Sequence, residues 1–190
     1  MKKLMSLMSA CALTALGVSA GAAETYAVDP NHTFPSFEIT HLGWSTFRGR
    51  FDRTTGTVVL DTAKKAGSVD VTIDVDSIST GVEKLNTHLK SADFFDAATY
   101  PKITFKSNSI KFKGSKVVAI TGDLTMHGVT RPVTLAVDSL VCKDHPLMKV
   151  PACGAGAHAL IKRTDWGIGS YPPAVLAEEV TLRIQIEAHE

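Results

Sequence analysis

TGVEKLNTHLKSADFFDAATYPKITF, residues 80–105, is the one segment of the chain with the pattern of an amphipathic helix. From Val82 onward, apolar residues recur at i, i+3, i+7 and i+10, which places them on one helical face. Thr80 and Glu83 stand at the spacing of a capping box, in which each side chain satisfies the other's backbone N–H. Tyr100-Pro101 ends any helix, because proline favours an extended conformation of the residue before it.

The segments around this helix alternate apolar and polar residues, as two-faced β-strands do. Residues 68–76 are the clearest case, and residues 102–106 and 109–113 are predicted as two separate strands. Eight to ten such segments without a βαβ alternation predict an all-β fold: an extended antiparallel β-barrel of about eight strands with one amphipathic helix. A β-sandwich is the competing architecture. The helix must then cover a sheet face or a barrel mouth, with Phe94-Phe95 as its anchor.

The N-terminus has the pattern of a secretory signal peptide. A basic start, Lys2-Lys3, precedes an apolar stretch over residues 4–18, and small residues then permit cleavage near Ala22-Ala23 or Ala23-Glu24. The sequence around Cys11 only loosely resembles a lipoprotein processing site, since few apolar residues precede it.

These features divide the chain into a signal peptide, residues 1–23, and one domain, residues 24–190, located in the periplasm or secreted. Cleavage before Glu24 would leave 167 of the 190 residues, with 18 basic and 19 acidic side chains. A near-neutral domain gives no argument for nucleic acid or for an anionic membrane surface. No later apolar run approaches bilayer length, so we expect no transmembrane segment in the mature chain.

Two cysteines remain after cleavage, Cys142 and Cys153, on either side of a predicted loop. In an oxidising compartment such a pair favours a disulfide. Closing a loop of this size would contribute about 3 kcal/mol in the chain-entropy model. The alternative is a metal site that adds His145 and His158 at a spacing acceptable for zinc.

Candidates for catalysis are weak. His41 lies on the apolar side of its strand, where a hydrogen-bonded core histidine is the main alternative to a functional one. His88 is compatible with a solvated helix surface, and Asp93 and Asp96 are better explained as solvated charges than as an acid–base pair. No nucleophile elbow or phosphate-binding glycine loop is present. Nothing in the sequence requires an enzyme or a cofactor.

Several small residues fall on the apolar faces of predicted strands: Gly49, Gly122, Ala157 and Ala159. They would either leave room for a slender ligand inside the barrel or accommodate bulky neighbours across it. The sequence does not separate these two interpretations.

Ordered motifs extend over residues 26–190. They are Phe37-x-Ile39-x-His41-Leu42-Gly43, Phe47-x-Gly49-x-Phe51, Ser77-Ile78-x-Thr80-Gly81, His88-Leu89-Lys90-Ser91-Ala92-Asp93-Phe94-Phe95, Tyr100-Pro101, residues 122–135 from Gly122-Asp123-Leu124-Thr125 to Val133-Thr134-Leu135, and Lys162-Arg163-x-Asp165-Trp166-Gly167. Through them the chain resembles the YceI family of secreted lipid-binding proteins. It departs from the family at Lys84-Leu85-Asn86, where an Arg-Asp pair is common.

The resemblance implies a lipocalin-like barrel with the helix near its opening and a polyisoprenoid, or a similar amphiphile such as an isoprenoid quinone, inside. The residues then expected to line the cavity are Phe37, Ile39, Phe47, Ile73, Leu89, Phe94, Phe105, Leu124, Met126 and Trp166. His41 and Arg163 are the candidates for contact with a head group. Trp166 fits equally well as a core residue that closes the barrel.

The leading hypothesis is a periplasmic binding or carrier protein that holds this lipid. A ligand-free structural or stress-related barrel is the first alternative, and an isoprenoid-modifying enzyme using His41 or Arg163 is the second. The oligomeric state is left open, with a homodimer as one alternative.

Overall fold

The computed structural model describes residues 23–190. The predicted signal peptide, apart from Ala23, lies outside the described residues, and so does Cys11. The elements follow in the order β1 Glu24–Val28, β2 Ser36–His41, β3 Ser45–Phe51, β4 Thr54–Asp61, β5 Ala66–Asp74, a 3-10 turn Val75–Ser77, β6 Ile78–Ser79, α1 Glu83–Lys90, β7 Lys102–Lys113, β8 Lys116–Met126, β9 Val129–Asp144, β10 Pro151–Lys162, a second 3-10 turn Arg163–Trp166, and β11 Leu176–His189.

Eight strands form a closed antiparallel barrel in the order β1-β4-β5-β7-β8-β9-β10-β11, with β11 pairing back onto β1. The predicted all-β barrel is confirmed, and the sandwich alternative is wrong. Strand β11 closes the ring, and one of its edges pairs with two strands, β1 and β2. Ala188 pairs with Val28 of β1 at one end, and Val180 pairs with Ile39 of β2 at the other. Strands β3 and β6 extend the sheet beyond β2.

The predicted helix is confirmed, but the capping box is wrong. The helix begins after Val82, and no side chain caps its N-terminus. Instead, Asn86 Oδ1 accepts hydrogen bonds from the backbone N–H of Thr80 at 2.8 Å and from its hydroxyl at 2.7 Å. Asn86, in the stretch that departs from the family pattern, therefore ties the helix to the segment that enters it. Leu89 is the buried residue of the helix itself.

Strand β7 joins the two strands predicted over residues 102–106 and 109–113. The pairing with β8 shifts between Ser107 and Ser109, which is a β-bulge. A bulge adds one residue and so exchanges the inward and outward positions beyond it. Phe105 and Ile110 therefore both face the interior although they are an odd number of residues apart.

The outer face of the barrel carries a row of threonines across five neighbouring strands: Thr55, Thr72, Thr104, Thr125 and Thr130 are successive cross-strand partners. The last two hydroxyl oxygens lie 2.8 Å apart. Paired β-branched residues of this kind favour one register. That register determines which side chains face the interior.

Candidate functional site

A continuous apolar cavity of about 440 Å³ occupies the barrel interior. Its volume is in the range of small-molecule sites, about 300–1,000 Å³. Ile103 and Ile110 of β7 both line it, and this stretch of strand covers roughly 20 Å at about 3.3 Å per residue. The cavity is therefore long and narrow, and apolar side chains form most of its wall.

One end of the cavity, which we call the mouth, is bordered by α1, residues 91–101, residues 167–175 and the turn between β2 and β3. The backbone N–H of Leu42 in that turn donates to the carbonyl of Val175 at 3.0 Å, so the last two segments are joined. The opposite end lies near the turn between β9 and β10, where Leu140 and Cys153 line the wall.

Three aromatic rings close one side of the mouth. His88 Nε2 on α1 lies 3.2 Å from the hydroxyl of Tyr171. Phe94 packs between them, edge-on to His88 with centroids 5.0 Å apart and stacked on Tyr171 at 5.7 Å. The helix and the loop after β10 thus meet across the opening through a polar contact and an aromatic cluster.

His41 lies on the other side of the mouth. Its ring stacks on Phe47 with centroids 4.5 Å apart and an interplanar angle of 11°. Both residues line the cavity, and Phe47 is partly exposed. The structure therefore places His41 at the mouth of the cavity.

Arg163 is buried, and its guanidinium is fully occupied. Burial lowers the pKa of this guanidinium. Its five N–H groups donate to five backbone carbonyls in the following loop and at the start of β11: Ile168, Gly169, Tyr171, Leu176 and Ala177. Since an arginine has five N–H donors, none is left for a head group, contrary to expectation. Arg163 instead holds the loop that presents Tyr171 to the mouth.

Trp166 does not line the cavity. It is buried with 2% of its surface exposed, and its indole N–H donates to the carbonyl of Leu124 at 3.2 Å. The structure therefore places it in the core that closes the barrel, which was the second interpretation of this residue.

The remaining predicted site residues come together on the cavity wall: Phe37, Ile39, His41, Phe47, Ile73, Leu89, Phe94, Phe105, Leu124, Met126 and, with its guanidinium occupied, Arg163. Their contact with a ligand stays a prediction. His88, Tyr171 and Leu85 were missed, although they also line the wall. Leu85 has the same helical periodicity as Leu89 and could have been found. Tyr171 sits in a proline-containing loop, which carries no periodic signal.

The small residues divide between the two interpretations. A Cβ on Gly49 would collide with the ring of Phe37, and one on Gly122 would come within 2.7 Å of Phe105. These two glycines therefore make room for aromatic neighbours. Both alanines belong to the hydrophobic core, and of the two it is Ala157 that lines the cavity.

Cys142 and Cys153 form a disulfide, as predicted, and the loop between them is short, residues 145–150. They are direct partners on β9 and β10, with Cα atoms 4.1 Å apart. His145 Nδ1 accepts from the backbone of the turn, and His158 pairs with Asp138 at 2.8 Å. Among residues 23–190, no group of three or more His, Cys, Asp or Glu side chains is placed to hold a metal ion.

No helix in the described part of the chain has the length and apolar character needed to span a bilayer.

Three comparisons place the chain among known proteins. It is 37% identical to Protein YceI of Escherichia coli O157:H7 over 188 residues, which cover 98% of this chain and 96% of that protein. The crystal structure of Burkholderia cenocepacia BcnA matches with a TM-score of 0.73 and 28% identity, covering 84% of this chain and 98% of that one. A polyisoprenoid binding domain from Saccharophagus degradans, implicated in plant cell wall breakdown, shares the fold with a TM-score of 0.64 at 20% identity, covering 86% of this chain and 97% of that one.

The model of the YceI-like domain matches residues 26–188, which is nearly all of the described chain. Together with the near full-length identity to Protein YceI, this match shows that the chain belongs to the YceI-like domain family.

Proposed function

We propose that this protein binds a polyisoprenoid or a similar amphiphile, with an isoprenoid quinone among the candidates, and carries or shields it in the periplasm. The observation that carries the proposal is the long apolar cavity, open at a mouth bordered by aromatic side chains. A packed, ligand-free barrel would not need a continuous space between its two ends.

The energetics of such a cavity suit a hydrocarbon tail. Each methylene group that moves from water into the barrel contributes about 0.8 kcal/mol. Part of this gain is offset by the lost freedom of the tail. Because apolar contact supplies most of the affinity, polar side chains are needed mainly near the head group, and His41, His88 and Tyr171 lie at the mouth.

The comparisons support the same proposal. The chain belongs to a family whose members include Protein YceI, and it shares its fold with a domain described as polyisoprenoid binding. These relationships favour a binding protein over an enzyme.

The geometry also favours binding over catalysis. Of the two residues considered for an isoprenoid-modifying reaction, Arg163 has no free N–H, and His41 stacks on Phe47. A head group that contacts His41 would meet a single imidazole and not a nucleophile paired with a base.

The test is native mass spectrometry of protein exported from its own signal-bearing gene and collected from the periplasmic fraction, followed by solvent extraction. We expect an added mass that corresponds to an isoprenoid lipid. A clean ligand-free mass, from protein that also rejects added isoprenoid, would contradict the proposal. Absence from the periplasmic fraction would contradict the location.

A matched pair of variants ties the lipid to the cavity. Ala157 lines the wall on β10, whereas Ala136 on β9 lies between two wall residues, Leu135 and Val137, and so faces outward. We expect Ala157→Phe to abolish lipid retention by filling the cavity and Ala136→Phe to retain the lipid. Equal retention by both folded variants would place the lipid elsewhere.

A further inference from the structure

A second depression adjoins the mouth, between β3 and α1. We call it the head groove, and its residues are Thr46, Phe47, Arg48, Thr80, Val82, Lys84, Leu85 and His88. Five of these eight, Phe47, Arg48, Thr80, Leu85 and His88, also line the apolar cavity. The head groove is therefore continuous with the cavity and lies where a molecule leaving the mouth would rest on the surface.

The head groove is positively charged. Arg48 and Lys84 both line it, and none of its eight residues is acidic. Arg48 Nε donates to Glu38 at 2.9 Å, and this contact holds the pKa of the Glu38 carboxyl below its usual range. The charge of Arg48 is thus partly compensated. Lys84 has no carboxylate within 4.0 Å among residues 23–190, so its charge is uncompensated.

The interior of the barrel offers no equivalent. The one other arginine on the wall is Arg163, and backbone carbonyls occupy all its donors. An anion placed inside would lose its hydration without gaining a free cationic partner, which is strongly unfavourable. At the head groove, an anion keeps contact with water and meets two cationic side chains.

From this contrast we infer that the head groove binds the anionic head group, a phosphate or carboxylate, of an amphiphile whose tail fills the cavity. The inference rests on the proposed function and narrows it, because it favours an anionic lipid over one with a neutral head such as a quinone. Lys84 is the residue that sets this preference. It belongs to the stretch Lys84-Leu85-Asn86, and the hydrogen bonds between Asn86 and Thr80 hold that stretch beside the mouth.

The expected effect is modest, because the groove is exposed to solvent. An ion pair at such a site changes the dissociation constant of the ligand by about threefold to fivefold, and salt weakens the effect by screening the charges. Two cations acting together give a preference of about tenfold for the anionic ligand at low salt.

The test compares two ligands with the same tail, geranylgeranyl phosphate and geranylgeraniol, by titration calorimetry on delipidated full domain. We expect the phosphate to bind about tenfold more tightly at low ionic strength, and this advantage to shrink as salt is added. Lys84→Gln should weaken phosphate binding about threefold to fivefold and leave the alcohol unaffected. The control is Lys113→Gln. Lys113 is the last residue of β7, far from the head groove, so the loss of its charge should not change the affinity for either ligand.

The outcomes separate the inference from the function on which it rests. If both ligands bind equally, or if Lys84→Gln and Lys113→Gln behave alike, the head groove does not select anions and the inference fails while lipid binding stands. If neither ligand binds, the proposed function fails, and the inference falls with it.

Discussion

Arg163 shapes the mouth of the cavity through its hydrogen bonds to backbone carbonyls. A guanidinium in an apolar setting is costly unless every N–H is satisfied. Here the five carbonyls that satisfy it belong to the segment that forms one border of the mouth. The same bonds therefore offset the cost of burial and fix the shape of the opening.

Arg163→Met should destabilise the fold, because it leaves several buried carbonyls without donors. We expect the free energy of unfolding in urea to fall by about 3–5 kcal/mol. Arg163→Lys keeps the charge but has three donors at one point and not five in a planar fork, so it should recover only part of the loss. A lysine variant as stable as wild type would mean that charge alone holds the loop.

Gly49 leaves room for the tip of the Phe37 ring to approach the backbone of β3. A Cβ at this position meets the far end of the Phe37 ring, which is flexible enough to move. We expect Gly49→Ala to turn the ring into the cavity, weaken the binding of a long isoprenoid and change stability little, as checked by calorimetry and thermal unfolding. Gly154→Ala is the control, since its new Cβ would have only ordinary contacts, the nearest at 3.8 Å. Equal binding by both variants would contradict the role assigned to Gly49.

The loop between β1 and β2 contains a pH-dependent contact. His32 Nδ1 lies 2.7 Å from a carboxylate oxygen of Asp29. This hydrogen bond raises the pKa of His32 above 6.5 and lowers that of Asp29. A raised histidine pKa means that its stabilisation is fully present below pH 6.5 and is lost as the pH rises through the folded-state value.

We therefore expect wild type to exceed His32→Gln in melting temperature at pH 5.5, and the two to converge at pH 8.5. A difference that stays constant over this range would show that the ion pair does not contribute.

At the scale of elements, the disulfide joins two long strands, β9 and β10, near the ends that lie away from the mouth. Replacing both Cys142 and Cys153 with serine should lower the free energy of unfolding by about 3 kcal/mol in the chain-entropy model, given a separation of 11 residues. Urea unfolding with and without reductant checks this. Wild type under reducing conditions should behave like the double variant, and a reductant effect on the double variant would point to another cause.

The strands were predictable from sequence because a barrel wall imposes strict alternation, as in β5 and β11. Two features could not be predicted from the sequence. The bulge in β7 changes which side chains face inward, so one strand gave the pattern of two. The capping box was not formed because the helix begins later than the box requires: Val82 is the N-cap residue, and the Thr80 hydroxyl donates to Asn86.

The candidate site was predictable to the extent that it is strand-borne. Phe37, Ile73 and Leu124 occupy inward positions that the alternation already marks. The mouth could not be predicted. Tyr171 reaches it only through the loop that Arg163 holds, and such a contact has no local sequence pattern.

At the scale of the whole molecule, bound lipid should stabilise the barrel. A ligand that binds only the folded state adds about 2.7 kcal/mol at a free concentration of 100 times Kd. We expect delipidated protein to melt at a lower temperature than protein purified with its lipid, and added isoprenoid to restore the difference. Ala157→Phe should show no such response. An identical melting temperature with and without lipid would contradict a cavity-bound ligand.

The closing role of β11 has a consequence in time. This strand joins both β1 and β2 and lies C-terminal to every other described strand. During synthesis, the ring therefore stays an open sheet until the last strand emerges. Before that moment there is no enclosed interior, so any ligand of the barrel can be enclosed only after β11 has docked between β10 and its partners β1 and β2.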